Sequence, residues 1–263
     1  MIDSVLKHLP AGHPWTDRIH YFDCVESTNT LAKEMARAGA PHGTVLIADR
    51  QTAGRGRMGR SFLSPGGMGI YMSVVLRYDC EAADLMHLTC ACGVHLCNAV
   101  ESVLQVRPGI KWINDLVYEK KKLAGILTEL VFTGSQVCAI VGIGLNCCQN
   151  PEDFDPLIRD IATSAAIITG RPPNRGLLLS QILQELLSMD QRLLSHREEL
   201  MTQYRQDCIT IGQSVSVLQN ETVQHGKAVE ILSDGTLLVQ FDDGSERTVN
   251  SGEVSIRGMY GYV

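Results

Sequence analysis

Two apolar runs, TVLIADRQ at 44–51 and GIYMSVVLRY at 69–78, flank a stretch that neither a helix nor a strand can absorb: TAGRGRMGRSFLSPGG. Aliphatic and β-branched residues favour buried strands, whereas six glycines from Gly54 to Gly69 keep the connection a loop. A strand, a long loop and a second strand are thus fixed features of any fold for this chain. Within the loop, Arg55, Arg57 and Arg60 alternate with Gly54, Gly56 and Gly59. Glycine lets backbone approach a ligand with its N–H groups free, and arginine supplies planar, permanently charged donors suited to carboxylate and phosphate. That combination describes a clamp for an anion. By composition alone, a solvated turn or an arginine–glycine nucleic-acid segment fits as well. A P-loop is excluded because no GK[ST] ending is present, and a dinucleotide fingerprint because no helix opens inside the loop.

Periodicity organises the rest. Residues 19–26 read as a strand, and Ser27-Thr28-Asn29-Thr30 opens a helix that Gly39 and Pro41 stop. Leu85, Leu88, Cys92, Leu96, Ala99 and Val103 recur at helical spacing across 82–106. IKWINDLVY and LAGILTELV predict a hairpin turning at the basic EKKK, and VCAIVGIGLNC predicts a further strand. A helical region is predicted over 176–206, with Leu178, Ile182, Leu186, Met189 and Leu193 on one stripe. Beyond it, short strands with Asp234-Gly235 and Asp243-Gly244 as turns predict a small antiparallel barrel. The expected class is α+β: a mixed β-sheet flanked by helices over 1–206 and a small C-terminal β-barrel over 207–263.

Charge narrows the function. Lys plus Arg is 23 and Asp plus Glu is 29, a net charge of −6 that argues against a general nucleic-acid binder and leaves room for a local basic pocket. No apolar run approaches the ~18 residues that cross a bilayer, and MIDSVLKHLPAGHP lacks the features of a secretory signal. A cytoplasmic protein without membrane partners is expected. Nine cysteines with no framework spacing suggest reduced thiols. Cys90, Cys92, His95 and Cys97 invite a zinc reading, but on a helix Cys92 points away from the face shared by Cys90 and Cys97.

Two further clusters carry chemistry. In Lys111-Trp112-Ile113-Asn114-Asp115, followed by Lys122, the predicted hairpin brings Asp115 and Lys122 together. A lysine there can meet developing negative charge, and a surface salt bridge reads the same way. Ser27-Thr28-Asn29-Thr30 is a helix cap and can equally read a polar ligand.

The motifs EST-N at 26–29, GTVLIADRQTAGRGRMGR at 43–60, SPGGMGIYMSV at 64–74, KWINDL at 111–116, KLAGIL at 122–127 and GIGLN at 142–146 together resemble the biotin protein ligases (biotin–[acetyl-CoA-carboxylase] ligases). The resemblance implies a catalytic domain related to class II aminoacyl-tRNA synthetases, followed by an SH3-like domain. It implies a two-step reaction with biotin and ATP as substrates and Mg²⁺: formation of biotinyl-5′-AMP, then transfer to a lysine of a biotin carboxyl carrier protein. By position, Ser27, Thr28, Asn29 and Gln51 look like the ureido end of a biotin site. Arg55 through its backbone, Gly56 and Arg57 look like the loop closing over carboxylate and phosphates. Lys122 looks like the lysine at the carboxylate oxygen and α-phosphate, so that Lys122 and Arg57 would be the catalytic residues. Arg55, Arg57, Arg60, Lys111, Asn114, Asp115 and Asn146 correspond to the nucleotide side, with Mg²⁺ near Asp115 rather than in a protein cluster.

Ile113 stands where the family often has proline, and Phe62 where an aromatic over the closed loop is often tryptophan. About 18 residues precede the first strand, too few for the roughly 60-residue helix-turn-helix domain of bifunctional members. A monofunctional ligase without nucleic-acid binding is expected, with a homodimer left open. The alternative is a lipoate or octanoate ligase of the same fold.

Overall fold

The computed structural model of the chain describes residues 1–133, 136–219, 222–250 and 253–256. A short helix α1 (Ile2–His8) precedes strand β1 (Ile19–Val25), helix α2 (Thr28–Arg37), and strands β2 (Thr44–Gln51) and β3 (Gly69–Tyr78) on either side of the glycine–arginine loop. Helix α3 (Leu88–Leu104) leads to β4 (Gly109–Lys111), β5 (Asp115–Tyr118), β6 (Lys121–Thr133) and β7 (Gln136–Asn146). Helices α4 (Ala165–Thr169), α5 (Arg175–Arg192) and α6 (Arg197–Asp207) separate these from β8 (Ser214–Gln219), β9 (Thr222–Ile231), β10 (Leu237–Phe241), β11 (Glu246–Val249) and β12 (Glu253–Ile256).

Strands β1 to β7 form one mixed sheet in the order β1-β2-β3-β7-β6-β5-β4. β1 and β2 pair in parallel, and the other pairs are antiparallel. Side chains alternate across the sheet. Leu46 and Val75 face α2 with Ala32 and Ala36, while Val45, Ile47, Met72 and Val74 face α3 and α5. Both faces are covered, so β3 is buried almost end to end and reads as a continuous apolar run rather than an alternating one.

Two predicted elements are divided. IKWINDLVY is not one strand: the chain turns at Trp112–Asn114, so that Lys111 pairs directly with Asp115. The cause is local. The Trp112 backbone N–H leaves the ladder for Thr210 Oγ1 at 2.9 Å, and Asn114 exchanges hydrogen bonds with Ile126, its carbonyl accepting from Ile126 N and its Nδ2 donating to Ile126 O, both at 2.9 Å. The predicted helix over 176–206 becomes α5 and α6, broken after Arg192, where the buried His87 ring donates through Nε2 to the Leu193 carbonyl at 2.9 Å.

The tail, predicted as a small antiparallel barrel, forms an antiparallel sheet in the order β11-β10-β9-β8-β12. Sequence reading finds four of its strands and misses β12. Among the described residues β11 and β12 are not paired with each other, so the SH3-like sheet is open there; the last residues of the predicted barrel, 257–263, lie outside the described ones. Gly235 and Gly244 take φ of +89° and +83° at the two Asp-Gly turns, the left-handed backbone that favours glycine. Val215, Val217, Ala228, Leu237 and Val239 are continuous with the main core, and the Trp112 indole donates to the Gly235 carbonyl at 2.9 Å. Among the described residues no helix is long and apolar enough to cross a membrane.

Candidate functional site

The site lies at the end of the large sheet where β2, β6 and β7 meet the N-terminus of α2. Ser27 caps that helix, its Oγ accepting from Thr30 N at 3.4 Å. Thr28 and Asn29 are buried and turn inward. Thr28 donates to Gln51 Oε1 from its backbone N–H at 2.8 Å and from its hydroxyl at 3.1 Å. Gln51 Nε2 donates to Ser64 Oγ at 2.9 Å, and Ser64 donates to the Phe62 carbonyl at 3.0 Å. The Asn29 amide donates to the Leu127 carbonyl and to Glu129 Oε2, both at 3.1 Å, while its Oδ1 lies 2.6 Å from the Ser73 hydroxyl. Beneath this cradle lies Gly142, where a Cβ would collide with the Asn29 amide. Ser27, Thr28, Asn29, Gln51 and Arg55 line this pocket, whereas Gly56, Arg57 and Lys122, read from the sequence as part of the same site, are not among its lining residues.

The glycine–arginine loop folds back on itself as a hairpin-like flap. Gly56 N donates to the Arg60 carbonyl at 2.7 Å and Phe62 N to the Gly54 carbonyl at 2.9 Å. Arg55 pairs with Glu129 at 3.2 Å, and Arg57 donates to Asn114 Oδ1 at 3.1 Å. The flap therefore reaches across to β6 and to the turn before β5. Arg60 sits at its base with an exposed side chain. Phe62 packs edge-on to Tyr71, centroids 6.4 Å apart, and covers Gly144, where a Cβ would come within 2.6 Å of its ring. Glu129 also takes Lys33 at 2.8 Å. Burial opposes its ionisation, but hydrogen bonds from Lys33 and Asn29 and the charges of Lys33 and Arg55 outweigh it and hold its carboxyl below the usual value.

The predicted meeting of Asp115 and Lys122 is present at 2.7 Å. Lys111 is buried opposite Asp115 in the ladder, and Gly125 leaves room for the Lys122 side chain, 3.2 Å from where a Cβ would stand. Beyond Phe62 and Gln51 opens a second cavity of about 600 Å³, which Asn146 lines. Asn146 Nδ2 donates to the Thr163 carbonyl at 3.0 Å. The 151–163 segment is tied to the site through Lys122, whose backbone N–H donates to Ile161 O at 2.7 Å and whose carbonyl accepts from Thr163 N at 2.8 Å.

Sequence reading missed Glu129, Ser73, Gln149 and the pocket-facing Gly142 and Gly144. Signals existed for most. Ser73 is a lone hydroxyl in an apolar strand, Glu129 a lone acid in LAGILTELV, and Gly142 and Gly144, two apart, face one side of the sheet. Cys90, Cys92 and Cys97 are buried in α3, where burial pushes their thiols up, and His95 pairs with Glu185 at 2.7 Å. Among the described residues no group of three His, Cys, Asp or Glu could hold a metal ion.

Comparison with known proteins gives matching results from sequence and structure. The model of the biotin/lipoate A/B protein ligase family matches residues 21–146, and that of the biotin protein ligase C-terminal domain matches residues 210–257. The bifunctional ligase/repressor BirA of Bacillus subtilis is 34% identical over 232 residues, covering 86% of this chain and 70% of the relative. The biotin–[acetyl-CoA-carboxylase] ligase of Mycobacterium tuberculosis is 36% identical over 234 residues, 87% of this chain and 85% of the relative. A solved structure of the biotin protein ligase from Aquifex aeolicus with biotin and ATP matches with a TM-score of 0.78 at 30% identity, covering 91% of this chain and 98% of that one.

Proposed function

The chain belongs to the biotin protein ligase family, and from that premise we propose that its two adjoining cavities bring biotin and ATP together as biotinyl-5′-AMP, which then passes to a lysine of a biotin carboxyl carrier domain. Carboxylate and triphosphate repel each other, so the reaction needs fixed positive charge where they meet. Arg55, Arg57 and Lys122 surround that junction, each holding an acceptor of the protein: Glu129, Asn114 and Asp115. In this reading the anions of the substrates take over from those acceptors.

A carboxylate oxygen of biotin attacks the α-phosphorus of ATP. The bond from that phosphorus to the bridging oxygen breaks, and pyrophosphate leaves with the electron pair. The lysine amine of the carrier then attacks the acyl carbon, AMP leaves, and the amine loses a proton. No side-chain nucleophile is required, so the protein contributes positioning and charge. Ser27, Thr28, Asn29 and Gln51 take the ureido ring, for which their hydrogen bonds already set the direction of each donor and acceptor. Lys122 meets charge developing at the α-phosphate. The Arg55 backbone, Gly56 and Arg57 cover the carboxylate and phosphates, while Arg60, Lys111, Asn114, Asp115 and Asn146 serve the nucleotide.

Magnesium suits this donor set. Asp115 offers one carboxylate at the cationic end, and Mg²⁺ is commonly held by one or two carboxylates plus substrate phosphates rather than by a protein cage. Bound with the triphosphate, it withdraws charge from the phosphate oxygens. Residues 1–206 carry both cavities in this reading, and 207–263 form the C-terminal domain, whose described strands share the main core behind the Trp112 turn. Nine free cysteines suit a reducing cytoplasm.

The observation that carries the proposal is the hydrogen-bonded cradle with the flap's arginines and Lys122 at its open side. Radiolabelled biotin, ATP and an apo carrier domain test it. Label is expected on the carrier lysine only when ATP is present, and labelled lipoate should leave the carrier blank. Equal transfer of lipoate would overturn the substrate assignment.

A further inference from the structure

Ser73 lies in the middle of β3, between Met72 and Val74, and is fully buried. A hydroxyl enclosed in an apolar strand is unfavourable unless it is hydrogen-bonded. Both of its side-chain partners belong to the cradle: Thr28 Oγ1 at 2.8 Å and Asn29 Oδ1 at 2.6 Å. The contact depends on the ladder. Ser73 pairs with Gly142 on β7, and because Gly142 has no side chain, the Asn29 amide fills the space beside the hydroxyl.

The supply of protons makes Ser73 necessary. Thr28 spends its hydroxyl proton on Gln51 Oε1 at 3.1 Å. Asn29 spends both amide hydrogens, one on Leu127 O and one on Glu129 Oε2, each at 3.1 Å. Thr28 Oγ1 and Asn29 Oδ1 are therefore both acceptors. Among the described residues, Ser73 holds the one proton that reaches either of them. Thr28 and Asn29 line the pocket and Ser73 does not, so their orientation is set from behind the pocket wall.

We infer that Ser73 is a positioning residue for the ureido ring: its single proton, shared between Thr28 and Asn29, holds both side chains in the orientation that reads the ring. The inference deepens, and rests on, the biotin reading of the cradle. Without that proton two buried oxygens lose their donor at once. Leaving a buried acceptor unsatisfied costs more than a formed hydrogen bond contributes, so the two side chains would leave their present places to find new donors.

Biotin-dependent ATP–pyrophosphate exchange tests this on the wild type, Ser73→Ala, Ser73→Cys, Thr28→Val and the Thr28→Val/Ser73→Ala pair. Ser73→Ala should raise the biotin KM about tenfold, with kcat and the ATP KM within about twofold of wild type. Ser73→Cys, close in size and a weaker donor, should fall between the two. Thr28→Val removes one of the acceptors, so adding Ser73→Ala to it should raise the biotin KM by no more than about threefold. An unchanged biotin KM in Ser73→Ala overturns the assignment. So does a parallel rise of both KM values, which marks general damage, and so does a full tenfold effect in the Thr28→Val background. If Ser73→Ala loses its cooperative melt, Ser73→Cys decides: a rise confined to the biotin KM supports the positioning role, and a wild-type value overturns it. Absence of biotin-dependent exchange in the wild type sinks the ligase reading itself, a separate and recognisable outcome.

Discussion

In the cradle under α2 the polar side chains are tied to one another: Asn29 to Glu129 and Ser73, Thr28 to Gln51, Gln51 to Ser64. Across Phe62, the larger cavity has Phe62, Leu63, Pro65, Phe154 and Ile158 in its wall beside Arg50, Asn146 and Asp153. The first pocket is preorganised, so a ligand must match a pattern already set, and a one-atom change in the protein is transmitted through the chain of bonds. The second offers mainly shape, and tolerates changes in its apolar walls. Between them stand the charges that both ligands must share.

The largest effect is expected at that junction. Lys122→Ala should lower biotin-dependent ATP–pyrophosphate exchange by about 10²–10³, while calorimetry finds biotin affinity within about threefold of wild type. A loss of biotin affinity with unchanged exchange would move Lys122 into the cradle. Next comes Gly142→Ala, whose Cβ would press on an amide held from several sides. Overpacking of this kind costs about 1–3 kcal/mol, so biotin should bind about 10²-fold more weakly, whereas Leu63→Ala in the larger cavity should change the ATP KM by less than about threefold. Equal tolerance at both positions would erase the contrast.

Arg57→Ala removes the flap's bond to Asn114 and should release biotinyl-AMP about tenfold faster, read by filter retention of labelled adenylate and by less selective lysine labelling. Retention as tight as wild type would show that the flap does not guard the adenylate. Smallest is Glu129→Gln, expected to change biotin affinity only a few-fold. Because the Glu129 carboxyl is held below its ordinary value, its contribution is fully present above the unfolded-state value near 4.3 and is lost as pH falls through the lower native value. Wild-type and variant melting temperatures should therefore differ at neutral pH and converge in acid.

Much of this was legible because it is local. Strand patterns, the Ser27 cap, the Asp-Gly turns and the glycine–arginine loop are each set by neighbours within a few residues. The Asp115–Lys122 pair follows from the hairpin even though the predicted first strand is broken, since the break at Trp112–Asn114 falls before Asp115. The residues that escaped take their meaning from distant partners. Glu129 meets Asn29 across 100 positions of chain, and Ser73 meets it across 44. Helix α5 ends where His87, from before α3, claims a carbonyl. No window of sequence contains both members of such a pair.

The Trp112 indole ends on the Gly235 carbonyl, and its backbone N–H ends on Thr210. The small sheet is consequently a counterweight to the turn that aims Asn114 and Asp115. Damage to its distal hairpin would surface as misaimed groups some way off, in kinetics toward the triphosphate, before it surfaced as unfolding.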